Sequence, residues 1–158
     1  MSDLCHSLAL DHPDKTCALA RAMAPRLGSG DVLLLDGGVG AGKTHFARCL
    51  IQSCLTDPED VPSPTYTLVQ VYAAPTCEIW HADLYRLGDP GEVTELGLDE
   101  AFETAICLVE WPDRLGDLCP ATALSLHFAT GADENCRHLT LTWTDPRWTA
   151  RLAGLADV

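Results

Sequence analysis

Basic residues are scarce in this sequence: ten Lys and Arg stand against 23 Asp and Glu, for a formal net charge of -13. Lysine is rarer still, with Lys15 and Lys43 its sole representatives. So acidic a chain repels polyanions, which argues against unaided binding of nucleic acid or of an anionic membrane surface. Long apolar runs are missing too, and none approaches the roughly 20 residues a helix needs to cross a bilayer. The opening residues, MSDLCHSLALDHPDK, lack the basic start, apolar stretch and cleavage site of an export leader. A cytoplasmic location with no membrane partner is the resulting expectation. Absent as well are a CxxC pair and any tight Cys/His cluster of the kind that holds zinc. The eight cysteines, Cys5, Cys17, Cys49, Cys54, Cys77, Cys107, Cys119 and Cys136, are scattered. They read as reduced, mostly buried thiols.

What is present suits one domain. With 158 residues and 47% hydrophobic content the chain can bury a single sizeable core and is short for two, so residues 1–158 read as one unit. Asp11 can cap a helix with Pro13 in its first turn, and Leu19, Ala22, Met23 and Leu27 then share a face until Gly28 and Gly30 stop it. Residues 32–35 are a short continuous apolar run, the mark of a strand buried on both faces. A glycine-rich stretch follows at once. Phe46, Ala47, Leu50, Ile51 and Cys54 then recur as the stripe of a helix that ends before Pro58. After a loop at 58–64, residues 67–72 and 77–81 alternate as half-buried strands that pair as a hairpin around Pro75. Residues 92–103 read as a helix. Residues 105–109 form a second buried strand that ends in Glu110 and Trp111. Leu124, Leu126 and Phe128, then Leu139, Leu141 and Trp143, alternate across a loop containing Gly131 and Asn135, which reads as a second hairpin. The glycine-rich stretch between strand and helix reads GGVGAGKT and matches GxxxxGK[ST], so the predicted fold class is α/β: a single-domain P-loop NTPase fold with a mixed, mostly parallel sheet flanked by helices, plus antiparallel hairpins.

The glycine-rich stretch carries the chemistry. Gly37-Gly38-Val39-Gly40-Ala41-Gly42-Lys43-Thr44 matches GxxxxGK[ST] in full. Glycines let the backbone turn its N–H groups inward around phosphate oxygens, and the helix beginning near Lys43 adds its positive dipole end. Lys43 supplies a point charge to the outer phosphates, and the Thr44 hydroxyl can ligate Mg2+. Gly38, Val39, Gly40, Ala41, Gly42, Lys43, Thr44 and the following His45 are the candidate phosphate contacts. At ordinary glycine usage such a match arises by accident in roughly one chain in two hundred of this length, and the strand and helix flanks make accident rarer.

A phosphate cradle of this kind works with acids at neighbouring strand ends, which hold Mg2+ and order a water molecule. Glu110 closes the run 105–109, and Asp83 lies just past the strand 77–81. These two are the candidate metal and catalytic acids, alongside Thr44 and Lys43. Asp36 reads as structural, His81 as a packing or hydrogen-bonding group rather than a base, and Arg86 as a local salt-bridge partner rather than an arginine finger.

Several segments together resemble a known family. Besides GGVGAGKT the chain carries SPTYTLV at 63–69, HADLYRL at 81–87 and LVEW at 108–111, in an order and spacing similar to those of the bacterial TsaE family. The likeness runs from about Leu8 to Trp143. It implies a small ATPase of tRNA threonylcarbamoyladenosine biosynthesis that acts with TsaB and TsaD partners and meets tRNA only through that assembly. By position it implies that Lys43 and Thr44 serve phosphate and Mg2+, that Asp83 and Glu110 are the essential acids, and that Trp111 is the nucleotide-side aromatic after the second acid. Thr65 matches the hydroxyl of a switch-like loop. Ala82 departs from the pattern, where a bulky aromatic is expected, and Gly38 and Val39 vary within the cradle without removing a ligand.

The acids divide as Glu110 on magnesium and Asp83 on the attacking water, with the two roles open to exchange. ATP is preferred to GTP, because a Ras-type guanine reader needs the Asn of NKxD and the sole Asn, Asn135, precedes Cys136. Two other classes compete. A small-molecule P-loop kinase closes an arginine-rich lid, but the eight arginines here are scattered. A nucleotide-sensing module would differ only in its low turnover.

Overall fold

The computed structural model describes residues 4–38, 42–57, 59–64, 67–89, 91–130 and 137–155. Along the chain these form β1 (Leu4–Leu10), α1 (Pro13–Met23), β2 (Val32–Gly37), α2 (Lys43–Cys54), β3 (Val69–Ala73), β4 (Glu78–Asp83), α3 (Gly91–Glu95), α4 (Leu98–Thr104), β5 (Ile106–Glu110), β6 (Leu124–Thr130), β7 (Arg137–Trp143) and α5 (Arg147–Arg151), with 3-10 segments at Ala24–Arg26 and Pro112–Leu118. The strands make one seven-stranded sheet in the order β1-β7-β6-β2-β5-β4-β3. Strand β2 lies between parallel β5 and β6, and β4 joins β5 in parallel. The remaining strands β3, β7 and β1 add on antiparallel. The sheet is mixed, parallel at its centre and flanked by helices, as the α/β P-loop reading anticipates.

Alternation along the central strands explains the layers. In β2, Leu33 and Leu35 belong to one buried cluster and Val32 and Leu34 to the other; in β5, Ile106 and Leu108 divide from Cys107 and Val109 in the same way. Successive side chains in a strand point to opposite faces, so a strand covered on both sides must be apolar throughout. The first cluster takes Leu19 and Met23 from α1 and Phe46, Leu50 and Ile51 from α2; the second takes Val93 from α3 and Leu98 from α4. By contrast β6 and β7 bury only alternate residues, Leu124, Leu126, Phe128, Leu139, Leu141 and Trp143, all in the first cluster. Among the described residues no helix is long and apolar enough to cross a membrane.

Local details differ from the sequence expectations for physical reasons. Helix α1 is capped by His12, whose Nδ1 accepts from the Asp14 backbone N–H at 3.1 Å. The expected cap, Asp11, instead pairs with Lys15 one turn on at 3.0 Å. The helix expected over 92–103 is two short helices, because Gly97 takes φ +83 between them and starts α4. Strand β1, helix α5 and the 3-10 segment after Trp111 have no counterpart among the sequence expectations. The loop residues Pro58, Gly131, Asn135 and Cys136 lie outside the described residues.

The cysteine expectation is corrected. Cys17 on α1 and Cys49 on α2 form a disulfide, with Cα atoms 5.2 Å apart and a sequence separation of 32. The two helices pack side by side on the same face of the sheet, and this brings the thiols within bonding range. Of the described free cysteines only Cys107 is buried, Cys5 and Cys119 being exposed. Burial pushes the Cys107 thiol up to about 12.

Candidate nucleotide-binding site

Parallel pairing sets the geometry of the site. Leu35 of β2 lies opposite Glu110 of β5, and Asp83 of β4 lies opposite Glu110 on its other side. The cradle therefore leaves the carboxyl end of the sheet beside both candidate acids, the place where open α/β sheets bind ligands. Gly37 takes φ +145 and Gly42 φ +109, conformations that side chains rarely adopt. Gly42 is the N-cap of α2, so the first-turn N–H groups of that helix face the cradle. Gly38 is exposed, with no chain atom within 4 Å of where a Cβ would stand. Val39, Gly40 and Ala41 of the cradle lie outside the described residues.

Lys43 and Thr44 open α2 and reach opposite partners. The Lys43 side chain is buried, its Nζ donating to the Gly37 carbonyl at 2.7 Å and lying 3.5 Å from the centre of the Trp111 ring. Burial lowers the Lys43 pKa from the ordinary lysine value, against the opposing pull of Glu110, Asp83, Asp36 and Asp113. The Thr44 hydroxyl donates to Glu110 Oε1 at 2.9 Å. Glu110, 2% exposed, also accepts at Oε2 from His81 Nε2, 2.7 Å away. Both oxygens of this buried carboxylate are thus engaged, as burial of a charge requires.

Asp83 is buried at the end of β4, where its Oδ1 accepts from the Tyr85 backbone N–H at 3.0 Å. Its own N–H donates to the Leu68 carbonyl at 2.8 Å, which ties the segment before β3 to this acid. Thr65, in that segment, lies outside the described residues. Among the described residues, Leu68 and Trp111 are the two non-glycine positions at positive φ, 68° and 59°. A left-handed conformation in such residues costs on the order of 1 kcal/mol, and both instances adjoin the candidate acids.

His45 does not turn its side chain to the cradle: its Nε2 lies 3.1 Å from the Pro13 carbonyl at the start of α1. Its backbone N–H remains in the first turn of α2, beside the cradle. Asp36 pairs with His127 of the neighbouring β6 at 3.1 Å, both side chains about half exposed. Tyr85 packs on Trp111 with ring centroids 4.9 Å apart and ring planes tilted by 48°. Neither His127 nor Tyr85 was singled out in sequence, since each reaches its partner only through the order of the strands.

The donors present fit magnesium. Thr44 hydroxyl and the Glu110 and Asp83 carboxylates are hard oxygen groups, and Mg2+ ordinarily takes one or two protein ligands and completes its shell with water and phosphate oxygens.

Comparison with known proteins places the chain in a family. The family model described as threonylcarbamoyl adenosine biosynthesis protein TsaE matches residues 10–139. The tRNA threonylcarbamoyladenosine biosynthesis protein TsaE of Rickettsia felis is 36% identical over 130 residues, covering 82% of this chain and 75% of the relative. The protein of the same name from Bacillus subtilis is 35% identical over 138 residues, covering 87% and 85%. The crystal structure of Bacillus subtilis YdiB superposes with a TM-score of 0.82 at 26% identity, over 99% of this chain and 97% of that one. With a family model matching most of the chain and relatives more than 30% identical over most of both sequences, the chain belongs to the TsaE family of tRNA threonylcarbamoyladenosine biosynthesis proteins.

Proposed function

We propose that this chain binds ATP with Mg2+ in the cradle at residues 37–44 and hydrolyses it, and that this turnover drives threonylcarbamoyladenosine modification of tRNA in an assembly with TsaB and TsaD type partners. The cytoplasm is the compartment this role requires. One observation carries the reading: the Thr44 hydroxyl bonds the buried Glu110 carboxylate at 2.9 Å, next in sequence to a lysine already drawn into the cradle by the Gly37 carbonyl.

The residues then divide the work. Backbone N–H groups of Gly38, Val39, Gly40, Ala41 and Gly42, with those of Lys43, Thr44 and His45 in the first turn of α2, receive the phosphate oxygens. Lys43 exchanges its bond to the Gly37 carbonyl for a phosphate oxygen, and the Trp111 ring flanks its ammonium. Thr44 and Glu110, directly or through water, would hold Mg2+, which neutralises charge on the outer phosphates when bound. Asp83, one strand further out, orients the attacking water. The bond between Thr44 and Glu110 favours this assignment of the two acids over its exchange.

Phosphate release from ATP by the purified chain, with and without its partners, tests the proposal. Slow release alone that rises in the assembly is the expected result. ATP binding without turnover in either case would leave a nucleotide-sensing module, and hydrolysis would have to be given up.

A further inference from the structure

We infer that His81 is a positioning residue for Glu110: its Nε2–H fixes one carboxylate oxygen and so turns the other toward Thr44 and the metal position. The inference rests on the nucleotide and Mg2+ reading above and assigns a role to a group that reading does not use.

The geometry begins with β4. Ile79, His81 and Asp83 are spaced by two and share one face of the strand, so the imidazole lies on the same side of the sheet as Asp83. Opposite them in the parallel partner stand Ile106, Leu108 and Glu110. His81 is wholly buried, and its Nε2 meets Glu110 Oε2 at 2.7 Å. The ionised carboxylate can only accept, so the ring presents Nε2–H. The other oxygen, Oε1, receives the Thr44 hydroxyl at 2.9 Å. Each oxygen is therefore held from a different element, one from strand β4 and one from helix α2. The last torsion of a glutamate side chain is broad. A donor on each oxygen selects one setting of it.

His81 Nδ1 points the same way. It is buried and has no hydrogen-bond partner among the described residues. Buried polar atoms are nearly always paired, so a histidine serving only to fill this space would leave a cost that an apolar residue avoids. The bond to Glu110 is what an apolar residue could not supply. Groups that orient a metal-side carboxylate from behind typically affect metal affinity or activity by about 10- to 100-fold.

Two variants of similar polarity separate positioning from packing. In His81→Gln the amide nitrogen reaches about as far as Nε2, whereas in His81→Asn it stops near the place of Nδ1. The affinity of the full-length chain for ADP is measured by calorimetry in EDTA and across a Mg2+ titration, with thermal unfolding followed for each variant. His81→Asn is expected to match wild type in EDTA and to need about tenfold more Mg2+ for the same gain in affinity, with His81→Gln close to wild type. Equal behaviour of the two variants, or failure of both to fold, makes His81 a packing residue and overturns the inference. If wild type itself shows no ADP binding or no response to Mg2+, the nucleotide reading falls, and this inference falls with it. Wild-type binding that responds to Mg2+, with His81→Asn unaltered, overturns this inference alone.

Discussion

Lys43 is held between opposed influences, burial that disfavours its charge and four acids that favour it, with burial the larger. Replacing it removes the cradle's point charge at a position where the other lysine, Lys15, is committed to Asp11. Losing one partner of a desolvated charged contact costs roughly 2 to 5 kcal/mol, so Lys43→Ala should weaken ATP binding about 30-fold or more in a titration of the folded variant. Unchanged affinity would remove the cradle assignment. The lowered pKa also sets a pH dependence. Between the lowered value and the ordinary 10.5, the unfolded chain keeps the lysine proton that the folded chain has released. Stability contributed by this group therefore rises with pH in that window, while nucleotide affinity falls because the neutral amine no longer attracts phosphate. Wild type compared with Lys43→Met over the alkaline range up to pH 10.5 isolates both slopes, and a nucleotide affinity that rises toward alkaline pH would contradict the role given to Lys43.

Helices α1 and α2 are joined both by packing and by the Cys17–Cys49 bond. Closing a loop of 32 residues limits the unfolded chain, and the loop-entropy estimate gives about 3 to 4 kcal/mol. Cys17→Ser should therefore lower the denaturant midpoint of the oxidised protein, and the difference from wild type should vanish in reductant. An equal difference under both conditions would mean that lost packing, not the crosslink, is responsible. The bond also marks the limit of what sequence could tell. Elements whose pattern is local were legible: the buried runs of β2 and β5, the stripe of α2 and the alternation of β6 and β7 all follow from the period of their apolar residues. Strand β1 was missed because its sequence, Leu4–Leu10, sits on an edge and pairs with β7, at the far end of the chain. Helix α5 is too short for periodicity and is anchored by one wholly buried residue, Trp148, whose Nε1 donates to the Thr122 carbonyl at 2.8 Å. In the site, Lys43, Thr44 and Glu110 were legible from motif and strand end. The pairings of His81 with Glu110 and of Asp36 with His127 depend on strand order, which no single segment encodes.

At the scale of the whole molecule the acidic charge sets the expectation for tRNA. Three arginines that are dispersed in sequence do converge: Arg147 and Arg151 both pair with the buried Asp31, and Arg26 donates to the Arg151 and Ala153 carbonyls. Arg147 pairs with Asp145 as well. This cluster fastens α5 to the start of β2, so its charges are spent within a chain whose formal net charge is -13. Because phosphate contacts by Lys and Arg supply most nonspecific nucleic-acid affinity, the isolated chain should bind unmodified tRNA poorly. Low-micromolar binding at physiological salt in a gel-shift assay without partners would contradict this. The same acidity suits docking on a basic partner surface, with association that weakens as salt rises. The central claim, that the fold brings Thr44 and Glu110 together in order to hydrolyse ATP, is tested most directly by phosphate release from the Glu110→Ala variant in the assembled complex. Loss of hydrolysis is the predicted result, with ATP binding retained at saturating Mg2+ and a larger Mg2+ requirement for it, since a carboxylate on the metal serves the charge of the transition state as well as the bound ion. A folded Glu110→Ala variant that hydrolyses ATP at the wild-type rate would contradict it.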